Sequence, residues 1–67
     1  MTNDAAKVVS VILAITLGYT PKEMRELINS MLGSNESEPI YKIVIYGITA
    51  KYNDETLRWE KENGRSE

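Results

Sequence analysis

The sequence contains no cysteine and no histidine, and these two absences exclude much of protein chemistry. Without cysteine there can be no disulfide and no Cys–His nucleophile. Without histidine, a Ser–His pair cannot be built, and zinc loses both of its preferred ligand types. A Ser–Lys pair is formally available at Ser10 and Lys7, but we interpret Ser10 as a solvent or interface residue. We therefore predict a protein that is not an enzyme and that holds no cofactor or metal.

Long apolar runs are also missing. The longest, residues 8–17, has ten residues and includes Ser10 and Thr16, whereas a bilayer-spanning helix needs about 20. No cleavage site of the small-x-small kind follows it. The sequence therefore predicts neither a membrane span nor a secretory signal, and it predicts no membrane partner. The lack of cysteine fits a cytoplasmic location, which is the location we expect.

Strong charge of either sign is absent too, because 8 basic and 10 acidic residues give a net charge of −2. This balance argues against electrostatic binding to nucleic acid. Positive side chains at Lys42, Lys51, Arg58 and Lys61 are separated by carboxylates, so no continuous basic stripe is predicted. A DNA-associated transcriptional regulator is therefore only the alternative function.

The length of 67 residues predicts a single domain, residues 1–67, with a marginal core. A chain of this size buries only about 60% of its unfolded surface. Disulfides, metals and oligomerisation are the usual reinforcements of so small a core. Since the first two lack their ligands here, we predict self-association, most simply as a symmetric homodimer.

The first half of the chain predicts two helices, the first over residues 4–17. One face of this helix collects Val8, Val11, Ile12, Ile15 and Tyr19. A second apolar face collects Val9, Leu13 and Leu17, and the remaining side carries Lys7, Ser10 and Ala14. A helix that is apolar around most of its circumference is typical of the centre of a core. We therefore expect this helix to be the hub of the fold.

A sharp corner is predicted between the two helices. Gly18 can adopt the left-handed conformation that ends a helix. Thr20 is a good N-cap, Pro21 suits the first helical position, and Glu23 completes a capping box. The second helix is expected over residues 21–32, followed by Gly33 as its stop signal. Its core stripe consists of Met24, Leu27, Ile28, Met31 and Leu32.

The corner, read as Leu17-Gly18-Tyr19-Thr20 with Glu23 and then Leu27-Ile28, resembles three unrelated families. It is similar to the helix junction of ubiquitin-associated domains, to the third domain of the Holliday-junction protein RuvA, and to the segment after the wing in MerR-type regulators. In each case the resemblance covers roughly residues 12–32. We interpret a motif shared by three unrelated families as a favoured helix corner, and no functional residue is transferred from any of them.

The second half predicts a third helix over residues 39–62, because apolar side chains recur there at steps of three and four. A bulky seam contains Tyr41, Ile45, Ile48, Tyr52 and Trp59. A smaller seam contains Ile40, Ile43, Gly47, Ala50 and Leu57. Gly47 and Ala50 are expected to allow close helix packing. Residues 63–67 are expected to fray.

A strand is the competing interpretation of the same run, because β-favouring Ile, Val, Tyr and Thr dominate residues 40–49. We predict an all-α unit of three helices, with a βαβα arrangement of strands at 8–17 and 40–49 as the alternative. The all-α prediction depends on the length of the run and on the absence of an evident hairpin turn signal.

The predicted function is a non-catalytic protein–protein interaction module, such as an adaptor, an inhibitor or a regulatory subunit. It would act through the apolar and aromatic face of the C-terminal helix, because large aromatic residues anchor many interfaces. The residues expected at a partner or self-association interface are Tyr41, Ile45, Tyr46, Ile48, Tyr52 and Trp59. The identity of a protein partner is not encoded in any motif of the chain.

Overall fold

The computed structural model describes residues 3–62 and divides them into a helical half and a sheet half. In chain order the elements are α1 (Asn3–Leu17), α2 (Pro21–Leu32), β1 (Lys42–Ile45), β2 (Ile48–Asn53) and β3 (Arg58–Glu62). The three strands form one antiparallel sheet in the order β1-β2-β3. The fold is therefore α+β, and the all-α three-helix prediction is wrong. The frayed tail predicted at 63–67 lies outside the described residues.

The two helices predicted for the first half of the chain are present, and the capping box that starts α2 is complete. Thr20 has an extended backbone (φ −73°, ψ 163°), and its hydroxyl accepts the Glu23 N–H at 3.1 Å. In return, the Glu23 carboxylate accepts the Thr20 N–H at 2.9 Å. Two backbone donors that a helix start leaves unpaired are thereby satisfied.

The helix corner uses a left-handed glycine, as predicted. Gly18 has φ +81°. Its N–H donates to the Ile15 carbonyl at 3.2 Å, and the Tyr19 N–H donates to the Ala14 carbonyl at 3.0 Å. This pair of bonds is a Schellman motif, which satisfies two carbonyls at the end of α1. Gly33 ends α2 in the same left-handed conformation, with φ +68°.

The predicted third helix is instead a pair of hairpins, and the first turns at Tyr46 and Gly47. Ile45 pairs directly with Ile48, so the connection has only these two residues. Both have positive φ, +51° and +78°, which is the type I′ geometry that matches the twist of paired strands. Because no helix forms here, Gly47 and Ala50 do not contribute to close helix packing. Gly47 belongs to the turn, and Ala50 lies in β2 opposite Ile43.

The second hairpin turns at the Asn53–Arg58 pair. The Asn53 side-chain oxygen accepts the N–H groups of Glu55 at 2.8 Å and Thr56 at 3.2 Å. The Leu57 N–H donates to the Asn53 carbonyl at 2.7 Å, and Leu57 has φ +60°. The side chain of Asn53 thus imitates a backbone turn. Asn53 and Asp54, which lie within the helix predicted over residues 39–62, are instead the start of this loop.

The strand alternative was also incorrect as a whole, because residues 8–17 are helical. Residues 40–49, however, contain all of β1 and the start of β2. Side chains alternate between the two faces of the sheet. The face toward the helices carries Ile43, Ile45, Ile48, Ala50, Tyr52, Trp59 and, at the end of β3, Lys61, whereas the opposite face carries Lys42, Val44, Thr49, Lys51, Asn53, Arg58, Glu60 and Glu62.

The loop between α2 and β1 runs back along α2 and places the sheet against the helices. The Arg25 Nε donates to the Glu38 carbonyl at 2.7 Å, and the Asn29 side-chain amide donates to the Glu36 carbonyl at 2.8 Å. The Ile40 N–H then donates to the carbonyl of Pro21 at 3.1 Å. The core lies between the two halves and consists of Val11, Ala14, Met24 and Trp59.

Candidate interaction surface

Helix α1 turns Val11 and Ala14 inward and leaves its second predicted apolar face, Val9, Leu13 and Leu17, exposed. Ala14 is only 2% exposed, although it lies opposite the two apolar faces in the sequence pattern. Large apolar side chains of the same helix remain in solvent, with Leu13 54% and Leu17 72% exposed. A small residue at the contact lets α1 approach its neighbours closely. The consequence is that the bulky side of α1 is left uncovered.

The uncovered side of α1 continues onto the first hairpin. A groove of about 160 Å³ separates α1 from the hairpin. Ile12 and Ile15 line it from the helix, and Ile43, Ile45, Tyr46, Ile48 and Ala50 line it from the sheet. We use the term apolar face for the exposed residues of this continuous surface, namely Val9, Ile12, Leu13, Leu17, Tyr46 and Ile48.

The apolar face is large for so small a chain. Its six exposed fractions, applied to side chains of roughly 150–200 Å² each, give an exposed area of about 530–710 Å². The largest apolar patch on a typical monomer covers about 300–600 Å² and is often functional. Each partner in a standard protein complex buries about 800 Å². The apolar face therefore exceeds an ordinary surface patch and approaches the area that one partner of a standard complex buries.

The apolar face also lacks charge. Residues 8–17 of α1 contain no Asp, Glu, Lys or Arg, and the remaining residues of the face are Tyr46 and Ile48. An uncharged surface offers nothing to steer or pair with a charged ligand. Only another apolar surface would gain free energy by covering it.

Three of the predicted interface residues form an aromatic row that runs from the exposed Tyr41 through Tyr52 to the buried Trp59. Tyr41 meets Tyr52 edge to face with ring centroids 6.4 Å apart, and Tyr52 meets Trp59 in the same manner at 5.4 Å. Trp59 is buried, and its indole N–H donates to the Tyr19 carbonyl at 2.7 Å. Trp59 thus joins the sheet to the helix corner through this hydrogen bond, and Tyr52 packs against the core cluster that contains Trp59.

The other predicted interface residues lie around the first turn. Tyr46 projects from the turn and is 82% exposed, and Ile48 is about half exposed. Ile45 is half-buried and packs against the core cluster. No backbone or side chain lies close to Gly47, because a Cβ placed there would meet no atom within 4 Å. The interface role of Tyr46 and Ile48 remains a prediction.

Sequence reasoning missed the helix residues of the apolar face, because it assigned all of α1 to the core. A signal was present in the pattern. Apolar residues occupy most of the circumference of α1, yet the described chain supplies only α2 and one face of a three-stranded sheet to cover them. A helix more apolar than its neighbours can cover indicates an external contact.

The outer face of the sheet has mixed charge. Lys51 lies opposite Lys42 on one side and opposite Glu60 on the other. Glu62 pairs with Thr49, and the Glu60 carboxylate accepts a hydrogen bond from the Thr56 hydroxyl at 3.2 Å. The positive side chains are thus interspersed with carboxylates. This arrangement does not favour binding to nucleic acid over simple solvation.

Comparisons with protein-family models, with curated proteins and with solved structures found no match for this chain. Neither of the two helices within residues 3–62 combines the length and the apolar character needed to cross a bilayer. Over the same range, no group of three or more acidic side chains is arranged to hold a metal ion. The function therefore has to be argued from the geometry of the surface.

Proposed function

We propose that the protein is a non-catalytic interaction module, of the adaptor, inhibitor or regulatory-subunit kind, that binds protein through its apolar face. The observation that carries this proposal is the orientation of α1, which buries Ala14 and exposes Leu13 and Leu17. The cytoplasm is the proposed location, and it is supported by the complete absence of cysteine.

The free energy available at the apolar face is comparable with the cost of association. Covering about 600 Å² of apolar surface gains roughly 15 kcal/mol at about 25 cal/mol per Å². Bringing two molecules together costs about 4–15 kcal/mol in lost freedom. The surface is thus of the right order to support a specific complex. Tyr46 strengthens the case, because a large ring with a polar edge is well suited to an interface.

The proposal is tested by substitution on and off the face. Ile12→Lys places a charge in the groove between α1 and the first hairpin. Val44→Lys introduces the same charge at a comparably exposed position on the outer face of the sheet. Each tagged protein would be expressed in the source cells together with an untagged or differently tagged copy, and the bound proteins would be quantified.

Under the proposal, a bound protein is retained by the wild type and by Val44→Lys but lost with Ile12→Lys. Circular dichroism would verify that both variants keep the mixed helix and strand content of the wild type. Capture that does not differ between the two variants would reject the apolar face as the binding surface. A wild type that captures neither a host protein nor its own second copy would reject the function itself.

A further inference from the structure

We infer that the occupant of the apolar face is a second copy of this chain, bound as a symmetric dimer in which α1 packs against α1. This inference rests on the proposed function and names its partner. The uncharged character of the face is the first argument for it. The covering surface must itself be apolar. A second copy meets that requirement because it carries the same apolar face.

The spacing of the exposed residues on α1 supplies the second argument. Val9, Leu13 and Leu17 follow one another at steps of four, so they form a single ridge along the helix. Ridges of this kind from two helices interdigitate at a crossing angle of about −50°. A two-fold axis through such a crossing passes near the middle residue, which is Leu13. Because α1 has 15 residues, its length of about 22 Å accommodates the full ridge.

The buried area supplies the third argument. Two copies that each cover about 530–710 Å² would bury about 1,060–1,420 Å² in total, a range that overlaps the lower end of stable interfaces. Ile12 lies beside the ridge and leads to the groove, where Tyr46 and Ile48 flank the contact. We therefore expect a dimer that dissociates in the micromolar range.

The rival mode of self-association uses the free edge of the sheet. β1 is an edge strand, and since Ile43 and Ile45 bond to β2, the backbone groups of Lys42 and Val44 point outward. Pairing of two β1 edges would extend the sheet. β1 has only four residues and carries Lys42, and both features discourage edge pairing. The two modes predict different contacts and can be separated.

Single cysteines give the most direct test, because the natural chain has none. Leu13→Cys places one thiol near the proposed two-fold axis, whereas Lys51→Cys places one on the outer face of the sheet. Under mild oxidation, Leu13→Cys should form a disulfide-linked dimer at least tenfold faster than Lys51→Cys. Equal rates would overturn the α1 contact. Faster crosslinking of a Val44→Cys variant than of Leu13→Cys would assign the dimer to the β1 edge instead.

Sedimentation equilibrium over a concentration series gives an independent test. The wild type should dimerise, Leu13→Lys should raise the dissociation constant at least tenfold, and Val44→Lys should leave it unchanged. A wild type that stays monomeric at high micromolar concentration would overturn the inference. If that monomer still captured a host protein through Ile12, the proposed function would stand without the dimer. If Leu13→Lys failed to fold, the crosslinking rates would decide.

Discussion

Replacing Trp59 by phenylalanine should destabilise the fold by about 2–4 kcal/mol. Trp59 is the strand residue that belongs to the buried core cluster, and its ring contacts Tyr52 edge to face. Its indole N–H also donates to the Tyr19 carbonyl, which lies 40 residues away at the helix corner. One side chain thus joins the last strand to the junction of the two helices.

Two contributions make up the expected loss. Phenylalanine has no donor, so the partly buried Tyr19 carbonyl would lose its partner at a cost of about 1–3 kcal/mol. The smaller ring would forfeit roughly 40 Å² of apolar burial, which is worth about 1 kcal/mol. A domain of 67 residues has a free energy of unfolding of roughly 3–10 kcal/mol. The substitution would therefore remove a large share of the stability.

Urea unfolding followed by far-ultraviolet circular dichroism is the appropriate assay, because Trp59 is the sole tryptophan and its fluorescence is lost with it. Protein concentration must be held constant, since association contributes to apparent stability. Tyr41→Phe is the matched control, because Tyr41 is the exposed end of the same aromatic row and lies outside the apolar face. Its effect should stay within about 0.5 kcal/mol. A loss below about 1 kcal/mol for Trp59→Phe would refute the role assigned to this link.

Three further predictions, two of them with a control substitution, concern the cap and the turns. Thr20→Ala should lower the free energy of unfolding by about 1 kcal/mol and Thr20→Ser by much less, as measured by urea unfolding; equal effects would contradict the capping box. Asn53→Ala should lower the free energy of unfolding by about 1–2 kcal/mol, because it removes the side-chain acceptor of two loop N–H groups. Asn35→Ala, in an exposed loop, is the control and should leave the free energy of unfolding unchanged. Tyr46→Asn should stabilise the monomer by about 0.5 kcal/mol, because asparagine tolerates φ +51° better than tyrosine does. The same substitution should weaken dimerisation, as measured by sedimentation equilibrium. A destabilised monomer would argue against backbone strain at this turn.

The helical half could be predicted because its signals are local. The bonds of the corner join residues at most five positions apart, such as Thr20 with Glu23 and Tyr19 with Ala14. Side-chain chemistry of this kind is visible in a short stretch of sequence. Helix bounds follow directly from it, and α2 begins and ends where the pattern places it.

The sheet half was mispredicted because one spacing fits two structures. Tyr41, Ile45, Ile48 and Tyr52 are separated by four, three and four residues, which suits one side of a helix. The same spacing is symmetric about the midpoint between Tyr46 and Gly47. Folding the chain there brings Ile45 opposite Ile48 and joins Tyr52 to Tyr41, as the hairpin does.

The turn signal that separates these two structures is weak in this chain. Type I′ turns are marked most clearly by Asn-Gly or Asp-Gly, whereas this one is formed by Tyr46-Gly47. The sequence pattern also does not show which side of α1 faces the core, because a helix that is apolar all round can pack on any of its sides. Here the close approach that Ala14 allows decides the orientation.

Two departures from local rules occur on the same surface, and their coincidence strengthens the case for an interface. Tyr46 occupies a left-handed turn position that favours asparagine or glycine, and its ring is exposed to solvent. Leu13 and Leu17 are exposed on a helix that buries an alanine. Exposing these apolar side chains to water does not benefit an isolated monomer. Local rules are most often broken at functional sites. A surface that is covered on assembly would explain both departures.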